Sequence, residues 1–327
     1  MVENSRLRRR RKKKKKKWFL LTPIIVILLA IIAYGGHLVL KVMNVTSDAH
    51  QELTRGEMSD KRVTPVYPGK DNFSVLFIGV DERPGETKSR SDVLLLATFN
   101  KNDHSIKLLS IPRDSRVDIP GYKTQKINNA NFFGGPDLAV ETVEELLDIP
   151  VDYYVKLNFN AFIDIVDALD GVTVNVPFTF TEKNSKNKPI TLYKGRQTLD
   201  GEEALAYVRM RKQDPMGDFG RNERQKEVVE AIIRKAGSLS SITKYGEVLD
   251  GLDDNLSTNL TFQNIVALHP YAKSISNIES LKLSGEDLYI DSVYYFALDE
   301  YSVSETSQML KEHLEISTTN TAIDYNS

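Results

Sequence analysis

Hydrophobic and polar positions fall into three regimes along this chain. From Trp18 to Leu40, WFLLTPIIVILLAIIAYGGHLVL runs about 23 residues without an acid, lysine or arginine, enough to cross a bilayer core as one helix. Residues 41–71 are polar, lack a long apolar period and end near Pro68 and Gly69, the pattern of a linker. From Asn72 onward, dense apolar runs alternate with segments of helical period. FSVLFIGV (73–80) and DVLLLATF (92–99) read as strands buried on both faces. SIKLLSIP (105–112) follows as a third, and the short KNDH connection predicts a hairpin between the second and third. In PDLAVETVEELLDI, Leu138, Val143, Leu146 and Leu147 lie near one helical face, with Pro136 as the start signal. DYYVKLNF reads as a strand, AFIDIVDALDG as a helix stopped by Gly171, and VTVNVP as a strand. GEEALAYVR and NERQKEVVEAIIRKAG read as helices separated by the charged loop KQDPMGDFG, and two more helix-like segments surround DLYIDSVYYFAL.

These elements predict an α/β fold, a central mixed β-sheet covered by helices on both faces, preceded by a single N-terminal transmembrane helix. The expected organisation is a basic tail over 1–17, a span over 18–40, a linker over 41–71, one domain over 72–316 and a polar tail over 317–327. No repeat with a period of about 20 to 50 residues is visible.

Charge sharpens the topology. The net charge of −2 hides 11 of the 43 basic residues packed between Arg6 and Lys17; without that tail and Glu3, 32 basic and 44 acidic residues remain, so the rest carries about −12. The basic run abuts the apolar segment and Lys41 stands almost alone after it, which places the N-terminus in the cytoplasm and the remainder outside, as a single-pass signal-anchor protein of the cell membrane. A cleaved signal peptide would carry an apolar core of about 7 to 15 residues with a small-residue cleavage site. Here the run is longer and no A-x-A site follows. An acidic body argues against nucleic acid as a partner. The chain has no cysteine, which excludes disulfides, thiol catalysis and cysteine-ligated zinc.

Three clusters could carry chemistry. In GVDERPGETKSRSD (79–92), Asp81 and Asp92 flank one loop at a strand end, where two carboxylates could converge on a hard cation such as Mg²⁺; Arg90 stands beside them, and casual surface charges on a turn are the alternative. In SIPRDS, Arg113 follows the third strand, and hairpin pairing would bring it near Asp92; a weak surface ion pair with Asp114 or Asp118 is the alternative. The densest cluster is AYVRMRKQDPMGDFGRNERQ (206–225). Arg209 and Arg211 are two apart, so an extended chain would direct both to one face, while Arg221 and Gln225 share a face of the next helix. Arginine forks bind phosphate bidentately and stay charged when buried. A solvated helix with surface ion pairs to Glu223 or Glu227 would account for Arg224 and Lys226. No G-x-S-x-G, Walker or H-E-x-x-H pattern occurs, and the five histidines are scattered.

GVDERPG with SRSDVLLLATFN, LLSIPRDSRVDIPG, KINNANFFGG and AYVRMRKQDPMGDFGRNERQ together resemble the LytR-CpsA-Psr family of Gram-positive bacteria, from about Asn72 to Ala236. One span and no large accessory domain look most like that family's wall teichoic acid transferases of bacilli. The resemblance implies transfer of an anionic glycopolymer from an undecaprenyl-pyrophosphate carrier to a muramic-acid hydroxyl of peptidoglycan, forming a phosphodiester. By the same resemblance, Asp81 and Asp92 are metal-associated carboxylates for Mg²⁺ or Mn²⁺. Arg90, Arg113, Arg209, Arg211 and Arg221 are the pyrophosphate-binding arginines, and Gln225 matches the family's helix glutamine. Asp218 also falls on a family position, and apolar helix faces would line a tunnel for the polyprenyl chain.

The implied catalytic set is Asp92, Arg113 and Arg90, in which arginines and metal neutralise charge on the pyrophosphate oxygens and Asp92 is the base for the acceptor hydroxyl. Two rival readings are a pyrophosphate hydrolase of the lipid carrier and a non-catalytic lipid-binding regulator of the cell envelope. A DNA-binding regulator is disfavoured, because only the basic tail could serve it.

Overall fold

The computed structural model describes residues 49–82, 88–236, 255–268, 271, 274 and 277–316. The basic tail, the apolar span, residues 83–87 of the GVDERPGETKSRSD loop and the polar C-terminal tail lie outside these residues. All the described residues belong to one compact unit.

Among the described residues its centre is a six-stranded mixed sheet in the order β11 (Leu256–Thr258), β6 (Tyr153–Asn158), β1 (Phe73–Val80), β2 (Ser91–Asn100), β3 (Ser105–Ser110) and β12 (Ile278–Lys282). Apart from this sheet, β4 (Arg116–Val117) pairs with β5 (Gln125–Lys126) and β8 (Phe180–Lys183) with β9 (Pro189–Leu192). Strands β1, β2 and β3 form an antiparallel meander, and Asn100 opposite Ser105 closes the hairpin expected from KNDH. β6 runs parallel to β1, β12 runs parallel to β3, and β11 caps the other edge antiparallel to β6.

Alternation along β1 explains why its sequence is apolar throughout. Leu76, Ile78 and Val80 enter one core, with Leu94, Leu96 and Leu109, beneath helices α1 (Asn129–Leu147) and α5 (Glu300–Leu314). Phe73 and Val75 enter a second core with Leu95, Ala97, Leu108 and Tyr271, where Val229 of α4 (Asp218–Ala236) packs. Both faces are therefore covered by helices, and two-sided burial removes the polar alternation of a half-exposed strand. Helix α1 begins seven residues before Pro136, but Gly134 and Gly135 leave helical geometry, so the proline still opens the regular part.

A satellite core joins α2 (Phe159–Ala168), β7 (Val172–Val176), β10 (Gly195–Leu199), α3 (Gly201–Arg209) and α4 around Val166, Val174, Leu205 and Tyr207. Helix α3 is started by a capping box. The Asp200 carboxylate accepts from the Glu203 N–H at 2.8 Å, and Glu203 accepts from the Asp200 N–H at 3.1 Å.

The stretch up to residue 71, read from the sequence as linker, is a docked strap from Ala49 to Asp71. Arg62 grips Asp152 through Nε and Nη2 at 2.9 and 2.7 Å, and Asp152 also accepts from the Ser74 N–H at 2.9 Å. Arg55 pairs with Glu144, which further accepts from Ser59 Oγ at 2.6 Å. The body thus begins upstream of Asn72, because buried ion pairs, and not an apolar period, hold this segment.

Candidate active site

The site forms at one end of the central sheet, where β1, β3 and β6 finish and β2 starts. Carboxyl ends of parallel strands in such sheets are a general location for ligands. Val80 pairs with Asn158 on β6, so Asp81 emerges at this rim, exposed to solvent. Opposite it the ladder slips. Gly79 faces Val93 but Val80 faces Ser91, which leaves Asp92 as the extra residue of a β-bulge, a device that re-aims a side chain. The Asp92 carboxylate meets Nη1 of Arg113, which is held in place as Ile111 N–H donates to Leu94 O at 2.9 Å and Asn128 N–H to Arg113 O at 3.2 Å. The hairpin expectation for Arg113 and Asp92 is met. The surface alternative is partly met too, since Arg113 Nε lies 3.5 Å from Asp114, which also receives Lys126 Nζ at 2.7 Å.

The KINNANFFGG stretch braces the C-terminal end of the loop. Ser91 N–H donates to Asn128 O at 3.2 Å, and Asn131 Nδ2 donates to Ser89 O at 2.8 Å. Ser89 and Lys156 both reach Glu82, at 3.0 and 2.7 Å.

A cavity of about 490 Å³ opens beside Arg113 and is lined also by Arg211, Arg221, Asn222 and Asp114. Three arginines thus arrive from three elements: the turn after β3, the loop after α3, and the first turn of α4, where the helix dipole adds favourable potential for an anion. Arg209 is not among the lining residues. It is the last residue of α3, so it and Arg211 do not lie on one extended segment, and its guanidinium stacks over the Phe159 ring at 5.0 Å. Phe159 directly follows the end of β6, so Arg209 remains at the same rim. Arg90 is exposed just before β2 and also lies outside the lining. Gln225 is buried, with Nε2 3.4 Å from Val208 O. Asp218 opens α4.

Arg224, assigned from sequence to a solvated face, is 3% exposed. Its Nε donates to Tyr207 O at 2.9 Å, while its two Nη atoms reach the Asp214 carboxylate and Met210 O. Asp214 also accepts from the Met216 N–H at 2.7 Å. One guanidinium therefore ties α4 to the loop carrying Arg211. Tyr207 is buried and donates to Glu227 at 2.7 Å; burial first, then this bond, hold its phenol well above the ordinary range. Lys226, likewise buried, pairs with Glu223 at 3.0 Å.

The remaining wall of the cavity comes from a hairpin of β13 (Gly285–Ile290) and β14 (Val293–Leu298), through Asp287, Tyr289, Tyr294 and Phe296. Sequence reading left this segment unassigned. Its signal is a pair of short runs rich in aromatic and β-branched residues, LYI and VYYFAL, on either side of Asp291 and Ser292.

The profile of the LytR_cpsA_psr family matches residues 37–312. The chain is 46% identical over 290 residues to the polyisoprenyl-teichoic acid–peptidoglycan teichoic acid transferase TagT of Bacillus subtilis, covering 86% of this chain and 89% of that protein. It is 42% identical to the transferase TagU of Halalkalibacterium halodurans, covering 88% of this chain and 94% of the relative. Among solved structures, TagT bound to LIIa-WTA superposes with a TM-score of 0.70 at 44% identity, covering 82% of this chain and all of that one. TagT with bound octaprenyl pyrophosphate lipid superposes with a TM-score of 0.67 at 41% identity, with the same coverage.

Proposed function

The chain belongs to the LytR-CpsA-Psr family, and from that premise we propose that it transfers an anionic cell-wall glycopolymer, wall teichoic acid, from an undecaprenyl-pyrophosphate carrier to peptidoglycan. The observation that carries this reading is the convergence of Arg113, Arg211 and Arg221 on one cavity at the sheet rim. Fixed cations suit a reaction whose main demand is to stabilise charge on phosphoryl oxygens.

In this reading the acceptor hydroxyl oxygen forms a bond to the phosphorus that carries the polymer. The bridging P–O bond breaks and undecaprenyl phosphate leaves with the electron pair. Arg113, Arg211 and Arg221 hold the pyrophosphate, with Arg209 and Arg90 at the rim to meet its outer oxygens. Asp92, oriented by Arg113, takes the acceptor's proton. Asp81 and Asp92 would hold Mg²⁺ or Mn²⁺; two carboxylates fit an ion that completes its shell with waters and substrate phosphates, and the ion would supply further charge neutralisation. The prenyl chain is assigned to the sheet face beneath α4, where Phe77, Val93, Val155 and Val229 are only half-buried. With residues 1–17 in the cytoplasm and 18–40 across the membrane, the body would meet its lipid carrier on the outer side, a topology supported by the basic run beside the apolar segment.

The test is transfer of labelled polymer from lipid-linked precursor to uncrosslinked glycan by the full-length chain with Mg²⁺. Covalent label on glycan is expected. Label released as free polymer phosphate at the same rate with or without glycan would instead identify a pyrophosphate hydrolase.

A further inference from the structure

The β13–β14 hairpin turns the outer part of one face toward the arginine cavity. Asp287 pairs with Phe296 and Tyr289 with Tyr294. Residues two apart on a strand share a face, so these four side chains form one surface, and all four line the cavity. Asp291 and Ser292 both take positive φ, 50° and 66°, as the two central residues of a type I′ turn do. The hairpin is tied to the catalytic strand end. The Phe296 N–H donates to Asp114 O at 2.9 Å, one residue after Arg113, and Ser115 bridges to Phe296. The Tyr294 hydroxyl donates to Asp287 Oδ1 at 2.9 Å, and the Tyr289 and Tyr294 rings meet at 60° with centroids 5.5 Å apart. Tyr289 is nevertheless 68% exposed. A rigidly mounted aromatic face therefore stands in water at the edge of a cationic cavity.

This wall has the wrong chemistry for phosphate and the right chemistry for a sugar. Asp287 repels an anionic polymer, whereas a pyranose can lay its C–H face on a tyrosine ring and donate hydroxyl or amide protons to a carboxylate. We propose that the face formed by Asp287, Tyr289 and Tyr294 is the acceptor platform, which holds one hexosamine ring of the uncrosslinked glycan beside the pyrophosphate. Tyr289 makes the stacking contact and Asp287 reads the ring's donors. This inference rests on the transferase reading, and it assigns the acceptor side of the cavity where that reading assigns the donor side.

Steady-state transfer by the full-length chain tests it with donor and acceptor varied separately. Tyr289→Ala is expected to raise the acceptor KM about tenfold while leaving the donor KM within about twofold. Tyr289→Phe should stay close to the parent, because the ring and not its hydroxyl stacks, and Asp287→Asn should raise the acceptor KM about threefold. A rise confined to the donor KM would hand the wall to donor sugars and overturn the proposal, as would unchanged constants in Tyr289→Ala. The exposure of Tyr289 makes loss of folding an unexpected cause, which unaltered thermal midpoints would document. If the parent transfers nothing to glycan, the transferase reading has failed. Equilibrium binding of soluble uncrosslinked glycan to parent and Tyr289→Ala then decides the platform alone: Tyr289-dependent binding upholds it, and no binding, or equal binding, overturns it.

Discussion

The guanidinium of Arg113 closes on the carboxylate of Asp92, the extra residue where β2 slips against β1. Each therefore positions the other, and their contributions to transfer should be coupled. Asp92→Ala and Arg113→Ala are each expected to lower kcat/KM by about 10²- to 10³-fold, and the double variant should be little worse than the poorer single one. Additive losses across this double-mutant cycle would show that the two act independently.

Arg224 and Asp214 form a buried pair, with side chains 3% and 4% exposed. Arg224→Ala leaves a carboxylate without its charge partner and is expected to cost about 3–5 kcal/mol, read as a lowered urea midpoint at unchanged slope. Arg224→Lys should not restore it, since a lysine cannot serve three acceptors in a plane. Gly220→Ala offers a separate route to the same pair. A Cβ there would stand 1.9 Å from Asp214 Oδ2, so this variant should lose about 1–3 kcal/mol by pushing the carboxylate aside.

The strap sets a boundary for fragments. A body beginning at Val45 should fold, whereas one beginning at Asn72 leaves Asp152 without Arg62 and Glu144 without Arg55. Each orphaned carboxylate is expected to cost about 3 kcal/mol or more. Urea unfolding of both fragments, with Arg62→Ala in the longer one, measures this; equal midpoints for the two fragments would mean the strap is only laid on the surface.

His313 is buried between Thr98 Oγ1 at 2.8 Å and Ser105 Oγ at 2.9 Å. Burial first, and then Lys107, push its pKa down from 6.5 to about 4. The unfolded chain thus binds a proton at higher pH than the folded one does. Stability is unaffected by this group above about pH 6.5 and falls by up to about 1.4 kcal/mol per unit as pH drops toward 4. His313→Gln, compared with the parent by urea unfolding at pH 7, 6 and 5, should remove that part of the slope. Parallel curves would show that His313 does not titrate with unfolding.

Much of this molecule is legible in its sequence where burial and pairing are local. β1 and β2 announce themselves by dense apolar runs, and the short KNDH turn pairs β3 with β2 and places Arg113 beside Asp92. Arg221 follows from helical spacing. The shared face expected of Arg209 and Arg211 fails because the helix read over GEEALAYVR, started by the capping box at Asp200, runs through Arg209, so two-residue spacing loses its extended meaning. Arg224 reads as solvated beside Glu223 and Glu227, and only the loop folded over it by Asp214 makes it interior. The strap is hidden for a similar reason: Arg55 and Arg62 look like linker charges until Glu144 and Asp152, some ninety residues away, are brought beneath them. The β13–β14 hairpin turns on Asp-Ser instead of the Asn-Gly or Asp-Gly pairs that signal such a turn.

The bulge at Asp92 has a consequence for how this protein can be altered. Ser91 shares a sheet face with Val80, and Val93 shares the opposite face with Gly79, so the inside–outside code of β2 changes phase at this single residue. Removing Asp92 outright would restore an uninterrupted ladder with every buried residue from Val93 onward still in its place. The most regular version of the strand is therefore one deletion away, and it is a version without the carboxylate. Selection for thermal robustness alone should drift toward that shortened strand, and an engineered scaffold that keeps the chemistry has to keep the irregularity.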